Sequence, residues 1–162
     1  MTQFTTVVQA TSNSTANTED LFLELKTSAA GTTFKVKRVR VGYGDGTQTT
    51  APTNFFRIRL IRYTTSTAGT TATPLIDRVP RDPQLPAAAT TSKGKSGATA
   101  CAIGTGSVTA VDTVNPYGLA LWEFLARDDY DYITAVTGGC FCVAIQSSVI
   151  SQVFTVTVDH AE

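Results

Sequence analysis

The densest carboxylate cluster in the chain is Asp128, Asp129 and Asp131. An Asp-Asp-x-Asp run offers oxygens of the kind calcium takes, but this one lacks the glycine and distal glutamate of an EF-hand loop, so a solvated or ion-paired turn explains it better. Cys140 and Cys142 stand two apart, which on a strand puts both thiols on one face. Zinc and redox motifs use a CxxC spacing with further ligands, and none follows in sequence. With Cys101 they form an odd, sparse set, expected to be reduced, the pair serving as small buried apolar residues. Gly42-Tyr43-Gly44-Asp45-Gly46 has the glycines of a phosphate loop but neither a following helix nor a Lys-Ser/Thr pair, so it reads as a turn. Ser107 after Gly104-Thr105-Gly106 lacks the strand-to-helix context and the base of a nucleophile elbow. His160 is the only histidine, which removes most triad, acid–base and zinc chemistries. The expectation is a protein that is not an enzyme and that holds no catalytic residue, cofactor or metal.

The elements that would carry these residues are strands. Of 162 residues, 29 are threonine, a β-branched type suited to a pleated surface, while charged residues make up only 16%. Strands are expected at Phe4–Gln9, around Leu21, Leu23 and Leu25 as a half-buried strand with the leucines on one face, and at Phe34–Val41. In the last of these the apolar positions jump from even to odd between Val36 and Val39, the mark of a bulge. Asn54–Tyr63 follows, with Phe56, Ile58 and Leu60 on one side, and this basic strand is expected to pair with, or lie near, the basic strand before it. Further strands are expected at Ala98–Ile103, Ser107–Thr113, Tyr117–Leu125, Tyr132–Val136, Cys140–Gln146 and Gln152–Asp159. About nine short strands separated by Gly-, Asn- and Pro-rich turns describe a single all-β domain over 1–162, a jelly-roll-like sandwich. No amphipathic helix is expected. Thr64–Gly97 has no periodicity and carries four of the six prolines, so it reads as a long extended arm, a segment type that usually binds or assembles.

Charge is distributed unevenly along the chain. Between Phe34 and Tyr63 lie seven bases, Lys35, Lys37, Arg38, Arg40, Arg57, Arg59 and Arg62, against Asp45. After Ala110 lie seven acids, Asp112, Glu123, Asp128, Asp129, Asp131, Asp159 and Glu162, against Arg127. Like charges facing across strands are unfavourable, so the bases must find carboxylates or solvent. Two readings stay open: the later acids pair with them within one chain, or the polarity is a code between subunits. The net charge of zero argues against nonspecific nucleic-acid binding, and no run of about 18 apolar residues argues for a membrane span. The opening MTQFTTVVQA has no basic-then-apolar leader pattern, which implies synthesis in a cytoplasm.

Three stretches bring a family into view: Asn17-Thr18-Glu19-Asp20-Leu21 running into the strand through Arg40, Asn54–Tyr63 followed by Thr67-Ala68-Gly69-Thr70-Thr71-Ala72-Thr73-Pro74, and Pro83–Thr91. With the later Leu121-Trp122-Glu123-Phe124, they resemble the small capsid cement, or decoration, proteins of tailed bacteriophages. The resemblance covers most of the chain as pattern. It implies a jelly-roll homotrimer on the outer surface of the virion, made in the host cytoplasm, that binds the major capsid protein and clamps neighbouring subunits together. On that reading the capsid or subunit contacts are made by Lys35, Lys37, Arg57, Arg59, Arg62, Arg81, Asp128, Asp129 and Asp131, with Met1–Thr18 and Thr64–Gly97 as contact elements. The sequence departs from the family pattern in its cysteines and in the acidic Asp128–Asp131 corner. The rival readings are a carbohydrate- or receptor-binding module of a tail spike or fibre, using Tyr117, Trp122, Tyr130 and Tyr132 against sugar faces, and a carboxylate-only enzyme using Glu123 and an Asp of the corner.

Overall fold

A computed structural model of the chain describes residues 3–12, 16–27, 33–43, 56–63, 72–74, 78–80, 90–95, 107–114, 122–126, 133–135, 140–147 and 152–162. These residues form twelve strands: β1 (Gln3–Thr11), β2 (Glu19–Thr27), β3 (Phe34–Tyr43), β4 (Phe56–Tyr63), β5 (Ala72–Pro74), β6 (Arg78–Pro80), β7 (Thr90–Lys95), β8 (Ser107–Val114), β9 (Trp122–Leu125), β10 (Ile133–Ala135), β11 (Cys140–Ser147) and β12 (Val153–Ala161). They make two antiparallel sheets. One has the order β10-β3-β12-β1-β6, with β9 also on β3; the other has the order β5-β7-β2-β11-β4-β8. The all-β expectation holds. The count exceeds nine because the Thr64–Gly97 segment contributes β5, β6 and β7, two of them too short to show a period. The expected strand at Ala98–Ile103 lies outside the described residues, as does most of the rest of the expected arm.

Alternation decides which side chains the two sheets share. Val8 and Ala10 of β1, Phe56, Ile58 and Leu60 of β4, Phe141, Val143 and Ile145 of β11, and Phe154, Val156 and Val158 of β12 meet in one buried cluster. Phe154 is its hub, taking edge-on contacts from Phe22, Tyr43 and Phe56 at centroid distances of 5.6, 5.7 and 5.1 Å. Thr155 and Thr157 face the other way and stay half exposed, as their spacing requires.

The phase slip in β3 is a bulge. The β3–β12 register shifts between Asp159 and His160, whose partners are Arg38 and Val36, so Lys37 is the extra residue. Phe34, Val36, Val39 and Val41 all reach the core in consequence. A second slip, which the apolar pattern does not show, lies in β2. Its register with β11 shifts so that Leu21 opposes Ala144 and Leu23 opposes Val143, with Phe22 inserted between. Phe22, Leu23 and Leu25 therefore join the main core, while Leu21 joins a separate layer with Ile61, Cys140, Cys142 and Ala144. The expectation of a half-buried strand with three leucines on one face is thus corrected: β2 is buried on both faces, and Leu21 lies opposite the other two. Cys140 and Cys142 share a face and are buried thiols outside any disulfide, as expected.

The end of the Thr64–Gly97 segment is fixed to the sandwich. β7 pairs with β2 from Leu23↔Gly94 to Thr27↔Thr90. Lys95 Nζ lies 3.3 Å from Asp20 Oδ2, both side chains being at most 1% exposed, and 6.0 Å from the centroid of the Phe22 ring. A buried ion pair of this kind adds little net stability but fixes register, because moving either strand would strand a charge. Ser12 and Asn17 are tied down as well: Ser12 N donates to Gln152 O at 2.6 Å and Asn17 N to Ser147 O at 2.8 Å, with Asn17 at φ 61°, a conformation asparagine tolerates.

Candidate contact surface

The two basic strands do not pair. β3 and β4 belong to different sheets, which corrects the expectation of pairing, although both pack into the same core. Each is flanked instead by strands from distant parts of the chain, β3 by β12 and β9, and β4 by β11 and β8. The basic stripe is therefore divided between the two sheets, Lys35, Lys37, Arg38 and Arg40 on the first and Arg57, Arg59 and Arg62 on the second.

On the first sheet the bulge re-aims the bases after Val36. Arg38 pairs with Glu123 of β9, and Arg40 Nη2 lies 3.9 Å from Asp159 Oδ2. Thr5 donates its hydroxyl to Asp159 Oδ1 at 2.6 Å. The Arg38–Glu123 pair is more than a third exposed on both sides, so it orients side chains more than it adds stability. Beside these charges runs an uncharged strip, Thr5, Val7, Gln9, Thr155 and Thr157, with Val7 40% exposed. Leu125, next to Glu123 on β9, is 56% exposed.

Among these charges lies a small notch of about 210 Å³, lined by Gln3, Phe4, Lys37, Arg38, Leu125, Asp159 and His160. His160 is held inside, its ring stacked on Phe4 at 5.5 Å and edge-on to Phe34 at 6.0 Å, with Nε2 3.3 Å from Glu162 Oε1. The notch is below the 300–1,000 Å³ that drug-sized ligands occupy and matches the bulk of one or two side chains.

On the second sheet Arg59 forms a bidentate pair with Glu19, Nε to Oε1 at 2.5 Å and Nη2 to Oε2, both side chains about a fifth exposed. Arg57 and Arg62 are exposed on either side of it along β4. Gln146 Nε2, across from Arg57 in the ladder, donates to Asn17 O at 2.5 Å.

Of the residues expected to make contacts, Lys35, Lys37, Arg57 and Arg59 fall on these two faces, whereas Arg62, opposite the core residue Phe141, is exposed on the inner side of β4 near the strand's end. Arg81, Asp128, Asp129 and Asp131 lie outside the described residues. The first sheet's bases meet later acids, Glu123 and Asp159, within one chain, whereas Arg59 takes Glu19, an acid the charge count left aside. Sequence reasoning also missed Val7 and Leu125, although both stand at outward positions of alternating strands. The N-terminal contact element is mostly β1, paired with β12 along its whole length and with β6 from Phe4 to Thr6, so it offers a strand face and not a loose arm. Of the four aromatics considered for sugar binding, Trp122 is half buried against the core, and Tyr117, Tyr130 and Tyr132 lie outside the described residues. No helix among the described residues is long and apolar enough to cross a membrane. No protein-family model, curated protein or solved structure matches the chain.

Proposed function

We propose that the chain is a bacteriophage capsid cement protein: a jelly-roll homotrimer that binds the outer surface of the head and stabilises contacts between major capsid protein subunits. The observation that carries this reading is the strand order. β12 lies between β1 and β3 in one sheet, and β11 lies between β2 and β4 in the other, so the first four strands and the last three alternate between the sheets as in a jelly roll. β5, β6 and β7 add to the edges of both sheets, which is consistent with an arm laid across the sandwich.

The surface chemistry suits docking. The first sheet presents short Thr, Val and Gln side chains that lose little rotamer entropy on contact, rimmed by ion pairs that set orientation. The notch beside Lys37 has room for one partner side chain, and Leu125 at its mouth adds apolar area. A trimer multiplies such modest contacts, because engagement of one arm raises the effective concentration of the others.

The test is co-sedimentation with heads of the encoding phage assembled without this protein. The expected result is saturable binding of a species three times the monomer mass and a rise in the temperature at which the heads open. The double variant Val7→Glu/Lys37→Glu, on the docking face, should weaken binding at least tenfold while the fold is kept. A monomer at micromolar concentration that neither sediments with heads nor changes their opening temperature would overturn the proposal.

A further inference from the structure

The layer behind the second sheet contains a group that simple packing does not require. Cys140 and Cys142 project from β11 on the face away from the main core, and Glu24 of β2 stands directly across from Cys142 in the ladder. One ligand-type atom from each of the three, a thiol sulfur or a carboxylate oxygen, lies within 4.8 Å of the others. Cys142 Sγ is 3.8 Å from Glu24 Oε2. The three side chains are at most 1% exposed, and Leu21, Ile61 and Ala144 complete the layer. Alanine, valine or leucine would fill these positions without the desolvation cost of a carboxyl and two thiols.

We infer that Glu24, Cys140 and Cys142 form a binding site for a thiophilic divalent cation of the zinc type. In a tetrahedral site with Zn–S about 2.3 Å and Zn–O about 2.0–2.2 Å, neighbouring ligand atoms stand about 3.5–3.8 Å apart, so the observed spacing needs little adjustment. Two sulfurs select a borderline or soft ion over calcium or magnesium, which take six or more oxygens or keep their waters. On binding, two S–H bonds break, two metal–sulfur bonds form and two protons pass to solvent, while the carboxylate takes the third position with one oxygen. Three protein ligands leave a fourth position for water or another side chain. The thiol of Cys142 is pushed well above its usual range by burial first, then by its hydrogen bond with Cys140 and the negative charge of Glu24, so without a cation it keeps its proton. Full burial means that the cation is loaded as the chain folds.

This proposal stands apart from the capsid reading, because it is read from the isolated chain. The full-length protein is produced in zinc-supplemented medium, purified without chelator and analysed for metal. The expected content is about one zinc per chain, unchanged in Cys101→Ser and reduced at least tenfold in Cys142→Ser and in Glu24→Gln. Refolding with Co²⁺ should give a near-ultraviolet sulfur-to-cobalt absorption band that zinc abolishes. If either variant fails to fold, X-ray absorption at the zinc edge of the wild-type protein decides the matter: two sulfurs at about 2.3 Å with one or two lighter ligands support the site. Wild-type protein with under about a tenth of an equivalent of zinc and no cobalt band, a metal shell without sulfur, or full zinc retention by Cys142→Ser would each overturn it.

Discussion

Burial at Cys142 changes how the fold responds to alkali. The folded chain holds the thiol well above its usual value of 9.0, chiefly by desolvation, so above that value the unfolded chain has lost a proton the folded chain keeps. The unfolded state then binds fewer protons, and stability falls as pH rises; below 9 both states carry the proton and the contribution is complete. In chelator-containing buffer the urea midpoint is expected to fall from about pH 9 upward, by up to about tenfold in the folding constant per pH unit. Cys142→Ala should flatten that part of the profile. It should leave a later fall from Tyr43, whose hydroxyl is raised above 10.0 by desolvation. Parallel profiles for the two proteins would show that this thiol does not govern the response.

At the scale of strands, the bulge in β3 was legible because Lys35, Lys37, Arg38 and Arg40 separate the valines, so a slip of one residue shows as a broken alternation. The bulge in β2 was not, since Leu21, Phe22, Leu23 and Leu25 are apolar on both faces and a period of two carries no phase there. Neighbouring basic strands gave no hint that one belongs to each sheet, because a short connection can close a hairpin or cross between sheets. The contact faces were legible only in part for the same reason: Arg38 and Glu123, or Arg59 and Glu19, are joined by register that no local pattern encodes. The cysteine pair shows the same division, its shared face readable from the spacing and the Glu24 opposite it only from the ladder. The β3 bulge also yields a sharp prediction. Deleting Lys37 restores plain alternation and leaves Phe34, Val36, Val39 and Val41 facing inward, losing chiefly the 2.9 Å bond from Ala126 N to Lys37 O, about 1 kcal/mol. Deleting Arg40 instead turns Val41 outward and Gly42 inward, and should prevent a stable fold. Thermal unfolding of the two deletions checks this; equal melting temperatures would refute the assignment of Lys37 as the extra residue.

At the scale of the molecule, the last strand holds the sandwich together. β12 pairs with β1 from Gln3↔Ala161 to Thr11↔Val153, and on its other side with β3 from Tyr43 to Lys35. β1 and β3 do not touch each other in the sheet, so without β12 the first sheet splits into β1 with the three-residue β6, and β3 with β9 and β10. The core loses Phe154, Val156 and Val158 at the same time, and with Phe154 the ring on which Phe22, Tyr43 and Phe56 converge. Truncation of a large buried side chain costs about 3–5 kcal/mol by itself, and whole domains are stable by only about 5–15 kcal/mol. A chain ending at residue 152 is therefore expected to lack a cooperative thermal transition and near-ultraviolet dichroism, and to elute as an expanded species. Strand pairing across nearly the full length of the chain makes early folding intermediates poor in native contacts, so the two sheets should order together once β12 docks. A truncated chain that still melts sharply would mean that the second sheet and its core stand alone, and the sandwich would then be two folding units instead of one.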